Sequence, residues 1–452
     1  MSRDWNWTTV DEIKAQTAHA ISMGPFGSDI KTDNFVAHGI PVIRGVNLSK
    51  KRFNEEGFVF VSEEKANELK SANAYPGDIV FTHRGTLGQI GLIPSNSSYK
   101  RYVISQSQMK LTCDSTKADP LFIFYYFRSP VGQRELLKHT STTGVPALSH
   151  PLTSLKSIRV PLPPIVQQRA IADVLDCLDA RIELNDKINA TLEALTQAIF
   201  KHWFIDFEFP NEHLEPYKSS AGKMKDSELG LIPEAWEAVR LADFISLDKG
   251  ISYKGKFLSQ QGNPMINLAT ISPDYGFIRT GLKYYTGEFR DKQKVRPGDV
   301  VIANTDITQR RDVLGSPAIV PDDLDSENIL FTHHIFAVRN NSKIPNLFIY
   351  YLLKLKSYRD RVTGFATGTT VLALPPDTVL DFLFAKPDDE TLKQFNVFAS
   401  LVHNLFASNN AESRNLATTR DILLPKLMHL GVGVYYPTNS AGSTKHNTSE
   451  TA

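Results

Sequence analysis

Residues 161–206 read PLPPIVQQRAIADVLDCLDARIELNDKINATLEALTQAIFKHWFID. Apolar residues fall at Ile171, Leu175, Leu178 and Ile182, then at Ile188, Leu192, Leu195 and Ile199. Gaps of three and four lay one stripe along one face of a helix. Pro163 and Pro164 end what precedes and suit a first helical turn, where a missing N–H costs nothing. No breaker follows before Pro210. The spacing predicts a rod of about forty residues and about 60 Å, longer than an ordinary globular helix. Leu175, Ile182, Asn189 and Thr196 form one seam row. Ile171, Leu178, Asn185, Leu192 and Ile199 form the other. Asparagines in mid-seam point to a coiled-coil partner whose register they help fix.

That partner lies further along the same chain. A shift of 224 residues superposes Ile171 on Phe395, Leu178 on Val402, Ile182 on Phe406, Asn185 on Asn409, Leu192 on Leu416 and Ile199 on Leu423. The repeat extends upstream. Pro76-Gly77-Asp78-Ile79-Val80-Phe81 is echoed by Pro297-Gly298-Asp299-Val300-Val301-Ile302, and Gly39-Ile40-Pro41-Val42-Ile43 by Gly262-Asn263-Pro264-Met265-Ile266. Pro120-Leu121-Phe122-Ile123 is echoed by Asn346-Leu347-Phe348-Ile349, and Trp7 with Val10 is matched to Trp236 with Val239. The chain is a tandem duplication in which each half runs from a mixed domain to a long helix. The expected fold is α+β: two mixed α/β domains joined by two long helices in an antiparallel coiled coil, an internal pseudo-twofold repeat.

The boundaries follow. Residues 1–150 form the first mixed domain, 151–210 the central helix region, 211–232 a polar linker, 233–375 the second mixed domain, 376–430 the C-terminal helix and 431–452 a disordered tail. Within the first domain Gly24–Ser28 reads as a loop, Pro76-Gly77 as a type II turn feeding the strand Ile79–Phe81, and 121–138 as one helix. Thr140–Gly144 is expected as a polar loop.

Composition narrows the function. With 452 residues, 41% of them hydrophobic and 22% charged, each half is able to bury a core. A net charge of +1 makes no general case for nucleic acid, so a DNA-binding surface has to be a local patch. Two cysteines, Cys113 and Cys177, exclude a disulfide framework and a cysteine zinc site and suit a cytoplasmic location. Cys177 is expected to pack beside the seam. No signal peptide or membrane-spanning run is expected.

Catalytic motifs are missing. There is no GxxxxGK[ST] loop and no Asn-Pro-Pro-aromatic run, and Gly431-Val432-Gly433 lacks a strand–helix context. His333-His334 lacks the spacing of a helical metal site, and in a strand one ring would face the core and the other solvent. Asp388-Asp389-Glu390 opens the second rod, where carboxylates favour the helix dipole. The expectation is a chain with no catalysis of its own and no bound cofactor or metal.

Polar and basic residues gather on loops beside the strands. The first half offers Arg44, Asn47, Lys50, Lys51, His83, Arg84, Thr86, Gln106 and Gln108; the second offers Asn267, Asn304, Thr305, Arg310, Arg311 and His333. Arg, Asn, Gln and His read base edges in the major groove, while Lys and Thr hold phosphates. Two related domains on a stiff rod suit a ligand with two separated, different sites.

The rod sequence quoted above, with Pro76-Gly77-Asp78-Ile79-Val80 and Thr82-His83-Arg84-Gly85-Thr86-Leu87-Gly88, resembles the specificity subunits of type I restriction–modification enzymes over nearly the whole chain. The second half departs from the pattern: 303–311 replaces the Arg-Gly-Thr loop, and the second rod lacks a Gln-Gln-Arg start. The resemblance implies a non-catalytic subunit that binds double-stranded DNA with a bipartite target, one target-recognition domain per half. It further implies docking of two methyltransferase subunits and two restriction (motor–nuclease) subunits, with S-adenosylmethionine, ATP and Mg on those partners. The alternative is a coiled-coil adaptor whose end domains bind proteins.

Overall fold

The computed structural model describes residues 5–48, 52–141, 144–274, 276–307, 311–324, 326–368 and 371–430. The expected disordered tail and Gly431-Val432-Gly433 lie outside them. The chain forms two compact units. One comprises Met1–Leu184 with Glu412–Ala452, the other Asn185–Ala411. The second unit is therefore one continuous segment inserted into the first.

Each unit holds the same sheets. In the first, a five-stranded sheet runs in the order Phe35–Val36, Val59–Val61, Ile40–Ile43, Tyr102–Ile104, Asn73–Ala74. In the second the order is Leu258–Ser259, Lys283–Tyr285, Asn263–Ile266, Ile329–Phe331, Lys294–Val295. Both carry a single parallel pairing at the same place, Val42 beside Val103 and Met265 beside Leu330. A four-stranded antiparallel sheet also recurs: Ile21–Met23, Gln108–Leu111, Ile79–Thr82, Ile90–Leu92 in one unit and Ile245–Lys249, Ile335–Asn340, Val300–Ala303, Pro317–Ile319 in the other. The Pro-Gly turns precede their central strands as read, with Gly77 and Gly298 at φ +92° and +81°, where a Cβ would be strained.

Backbone hydrogen bonds correct one part of the repeat. Val10 N donates to Ile158 O as Leu241 N donates to Phe382 O. Asn6–Thr9 pairs with Arg159–Leu162 as Glu237–Arg240 pairs with Leu383–Lys386. Trp236 therefore corresponds to Trp5, not Trp7, and Val10 to Leu241. Trp7 is 43% exposed whereas Trp236 is fully buried, so aromatic identity alone misled the alignment by two residues.

The long helices are Ile165–Phe204 and Asp389–Leu430. Each is divided between the units, and within each unit the two segments pack antiparallel. In the first unit Arg181 forms a two-pronged pair with Glu412, at 3.0 and 3.1 Å, and Arg420 reaches Asp179 at 2.6 Å. Ile171 and Leu175 share a core with Leu424, Leu427 and Met428. In the second unit Asn409 Nδ2 donates to Asn189 Oδ1 at 2.8 Å and Asn189 Nδ2 to Asn410 Oδ1 at 3.1 Å, while Phe200 and Phe204 pack on Phe395. Asn185 and Asn409 are buried, 1% and 8% exposed. Leu195 departs from the expected stripe at 48% exposure, and Cys177 is exposed rather than packed. The second helix starts at Asp388, whose carboxylate accepts from Thr391 N, Thr391 Oγ1 and Trp236 Nε1. Burial pushes that carboxyl up, but these hydrogen bonds outweigh it and hold it below its ordinary value.

Two local readings change. The expected single helix over 121–138 is two, Pro120–Arg128 and Pro130–Leu137. Pro130 cannot continue the first helix, and Ser129 closes it while capping the second through Gly132 N. The expected polar linker contains a hairpin, Met224–Ser227 with Gly230–Pro233, and Phe209 stacks between Tyr217 and Trp236.

A carboxylate of the first long helix holds each mixed domain. Asp179, 5% exposed, accepts from Tyr125 Oη at 2.9 Å, Arg128 Nη1 at 3.1 Å and Arg420 Nη1. Glu193 accepts from Tyr351 Oη at 3.2 Å and forms an ion pair with Lys354. Removing one partner of such a pair strands the others. Asp179→Ala is expected to cost about 3 kcal/mol, because both guanidiniums retain some access to water. The measurement is thermal unfolding with hydrogen exchange across 120–128. Unchanged protection there would show that the carboxylate holds nothing.

Candidate nucleic-acid interface

The sequence-predicted polar residues divide into those that build the scaffold and those left free to touch a ligand. Asn47 is fully buried. Its Oδ1 accepts from Arg44 N at 2.9 Å and its Nδ2 donates to the carbonyls of Asn54 and Glu56. Asn267 is 6% exposed, with Nδ2 on the Gly281 carbonyl at 2.7 Å and Oδ1 accepting from Ala269 N. Both amides close a short 3₁₀ turn, so neither is available to a base. Gln108 is likewise buried, its amide on Ser105 and Thr82. Arg44 is half-buried with Nη2 on the Gly57 carbonyl at 2.8 Å. Lys50, Lys51 and Arg310 lie outside the described residues.

His83 and Asn304 occupy the same place in the two units. His83 N donates to Ser107 O, and His83 O accepts from Leu148 N. Asn304 N donates to His334 O, and Asn304 O accepts from Leu374 N. Each side chain staples the turn opposite. His83 Nε2 donates to the Gln106 carbonyl at 3.1 Å, and Asn304 Nδ2 donates to the His333 carbonyl at 3.0 Å. The carbonyl acceptor requires hydrogen on Nε2 of His83. Burial is the main reason its pKa lies below the ordinary 6.5.

What the staples hold up is exposed in the first unit and half-buried in the second. In the first unit these are Gln106 at the turn and Arg84 and Thr86 on the loop after Ile79–Thr82. In the second they are His333 and His334, half-buried with ring centroids 3.8 Å apart, and Thr305, whose Oγ1 shares a 2.8 Å hydrogen bond with His334 Nδ1. The two histidines lie on a turn, not in a strand, so they do not alternate between core and solvent. Arg311, at φ +59°, turns back onto the Thr363 carbonyl.

Sequence reasoning missed the cations around this second turn. Lys249 and Lys283 both act on His334; burial first, then His333 and these two lysines, hold its pKa below the ordinary value. Lys283 Nζ donates to Tyr253 Oη at 2.7 Å. Lys249 and Lys283 stand 34 residues apart on different sheets, so no local pattern joins them. The signal that was available is the glycine pair Gly24 and Gly250, which bring the flanking loops against the two turns. A Cβ on Gly24 would lie 1.9 Å from Ser105 O, and one on Gly250 would lie 2.2 Å from Phe331 O and 2.5 Å from Thr332 O.

Each surface offers donors and acceptors of the kinds that read base edges, with cations beside them. Among the described residues no group of three or more His, Cys, Asp or Glu is placed to hold a metal, and no helix is long and apolar enough to cross a membrane.

Two mixed domains of one topology, each packed on long antiparallel helices, define a duplicated α+β fold. Residues 28–194 match the type I restriction modification DNA specificity domain. The chain is 23% identical over 337 residues to the type I restriction enzyme MjaVIII specificity subunit of Methanocaldococcus jannaschii, covering 73% of this chain and 74% of that protein. It is 24% identical over 382 residues to the MjaIX specificity subunit of the same organism, covering 81% and 80%. The crystal structure of a type I restriction–modification S subunit from M. genitalium shares the fold, with a TM-score of 0.56 and 16% identity over 95% of this chain and 97% of that one. Over most of its length the chain is thus similar to type I restriction enzyme specificity subunits.

The staple equivalence carries a prediction. Because folding depresses the His83 pKa, the unfolded chain binds the extra proton, and this contribution to stability is lost as pH falls below about 6.5. His83→Asn places the residue of the second unit in the first. It is expected to fold, and to lose less thermal stability than the parent between pH 7.5 and 5.5. Equal losses in both proteins would show that His83 is not held neutral by the fold.

Proposed function

We propose that this chain is the non-catalytic, DNA-reading subunit of a type I restriction–modification complex, acting in the cytoplasm on a bipartite duplex target. Residues 1–150 serve as one target-recognition domain and 233–375 as the other. Arg84, Thr86 and Gln106 contact the first half-site; Thr305, His333 and His334, with Lys249 and Lys283, contact the second. The observation that carries this reading is the stapled turn. It is built twice by equivalent hydrogen bonds, yet presents different side chains, as reading two different half-sites requires.

The long helices carry the partners. Val397, Leu401 and Leu405, spaced by four, are 57%, 66% and 44% exposed on one helix face. A continuous apolar stripe in water marks a protein-binding surface. We assign it to a methyltransferase subunit, with two such subunits and two motor–nuclease subunits in the full assembly. S-adenosylmethionine, ATP and Mg belong on those partners.

Replacing residues 1–150 by a related domain is expected to change one half of the target and leave the other, as mapped by adenine methylation in cells. Simultaneous change of both halves would refute modular reading. Absence of sequence-specific duplex binding by the chain with its methyltransferase partner would favour a protein adaptor instead. Leu401→Glu, at an exposed position, should leave each unit folded while weakening co-purification with the methyltransferase by about tenfold or more, a loss of roughly 1.4 kcal/mol or greater.

A further inference from the structure

Phe26 is 76% exposed, the most exposed aromatic ring among the described residues. Its loop is not slack. Pro25 before it is buried, and Asp29 N closes a turn on Phe26 O at 2.9 Å. Gly24 donates its N–H to Gln108 O at 2.9 Å and lies so close to Ser105 that no side chain fits. Gly27 sits against Gln106, with room for a Cβ only 2.8 Å from Oε1. The backbone on both sides of Phe26 is therefore packed on the turn that carries Gln106, which His83 staples. An exposed phenyl ring leaves apolar area in water, which is unfavourable, and among the described residues no ring contact covers it.

We propose that Phe26 stacks on, or wedges into, a base step of the first half-site; this rests on the DNA-reading function argued above. Proteins that press a side chain between bases use apolar residues of this kind on rigid supports. Arg84, on the loop after Ile79–Thr82, supplies charge toward the duplex, and Gln106 supplies hydrogen bonds at base edges. Asp29, exposed on the same loop, carries a neighbouring negative charge and accepts a hydrogen bond from Ser28 Oγ, and Glu68 and Lys65 line the same cleft.

The second unit shows why this is a property of one half-site. Its loop after Gly250 also carries an aromatic residue, Tyr253, but the ring is half-buried and its hydroxyl is held by Lys283. There the loop's ring meets the ammonium group of Lys283, from the strand Lys283–Tyr285, which suits a phosphate. Phe26 has no cation on its ring and no hydroxyl, and it is left with a π-face and an edge.

The test uses the full chain assembled with its methyltransferase subunits on its methylation-mapped duplex, with 2-aminopurine placed in turn at adenine positions of the first half-site. Binding of the parent complex is expected to change the probe's fluorescence at one step. Phe26→Ala should abolish that change and weaken binding about tenfold, the size of one base–aromatic stack. The salt dependence should keep its slope because no phosphate contact is lost. Phe26→Trp should restore the fluorescence change. Lys283→Met, by contrast, should lower the salt slope by about one. If the parent binds its target while Phe26→Ala binds equally well, or with the fluorescence change intact, the inference fails alone. If the parent complex shows no specific binding, the DNA-reading function fails first.

Discussion

Antiparallel packing of the two long helices is the constraint on which each unit depends. A helix of forty residues with one apolar face does not stand alone in water. In each unit the segment of one helix is covered by a segment of the other, and the sheets are then built against the pair. The seam is not uniformly apolar. Asn185, Asn189, Asn409 and Asn410 meet near its middle, where Asn185 and Asn409 are buried and the asparagines hydrogen-bond across the seam. A slip by one turn would bury these amides against leucine or phenylalanine, leaving hydrogen-bonding groups unsatisfied at about 1–3 kcal/mol each. Stability is given up for a unique register.

The fold was legible to the extent that periodicity and repetition write it. Helix stripes at Ile171, Leu175 and Leu178, the Pro-Gly turns, and the recurrence of short motifs 221 to 226 residues apart identified the architecture. Legibility failed where a tertiary partner decides. Pro130 looked tolerable within an apolar run until Ser129 was seen capping the next helix. Leu195 belongs to the apolar stripe by its spacing but lies off both seam rows, and it is 48% exposed.

The site was less legible, for a physical reason. Asparagine, glutamine and histidine have the same composition whether they read a base or close a turn. Asn47, Asn267 and Gln108 spend their hydrogen bonds on backbone carbonyls and neighbouring side chains, which only the fold reveals. Conversely, Lys249 and Lys283 acquire meaning from residues distant in sequence. His83 and Asn304 are the instructive pair: different side chains, one of them titratable, that donate to the same carbonyl position. Divergence here preserves the support and changes what stands on it.

The insertion of one unit inside the other has a consequence for biosynthesis. Asn185–Ala411 is a continuous segment, so every residue of that unit has left the ribosome before the other is complete. The first unit needs Leu424, Leu427 and Met428 for its core, and these are made only after the whole of Asn185–Ala411. Asp179 also waits for Arg420. The usual order, in which N-terminal domains finish first during synthesis, is thus reversed at the final step. Until the C-terminal helix emerges, the face of Ile171 and Leu175 that it covers is open to water, and to any chaperone or partner helix that arrives sooner.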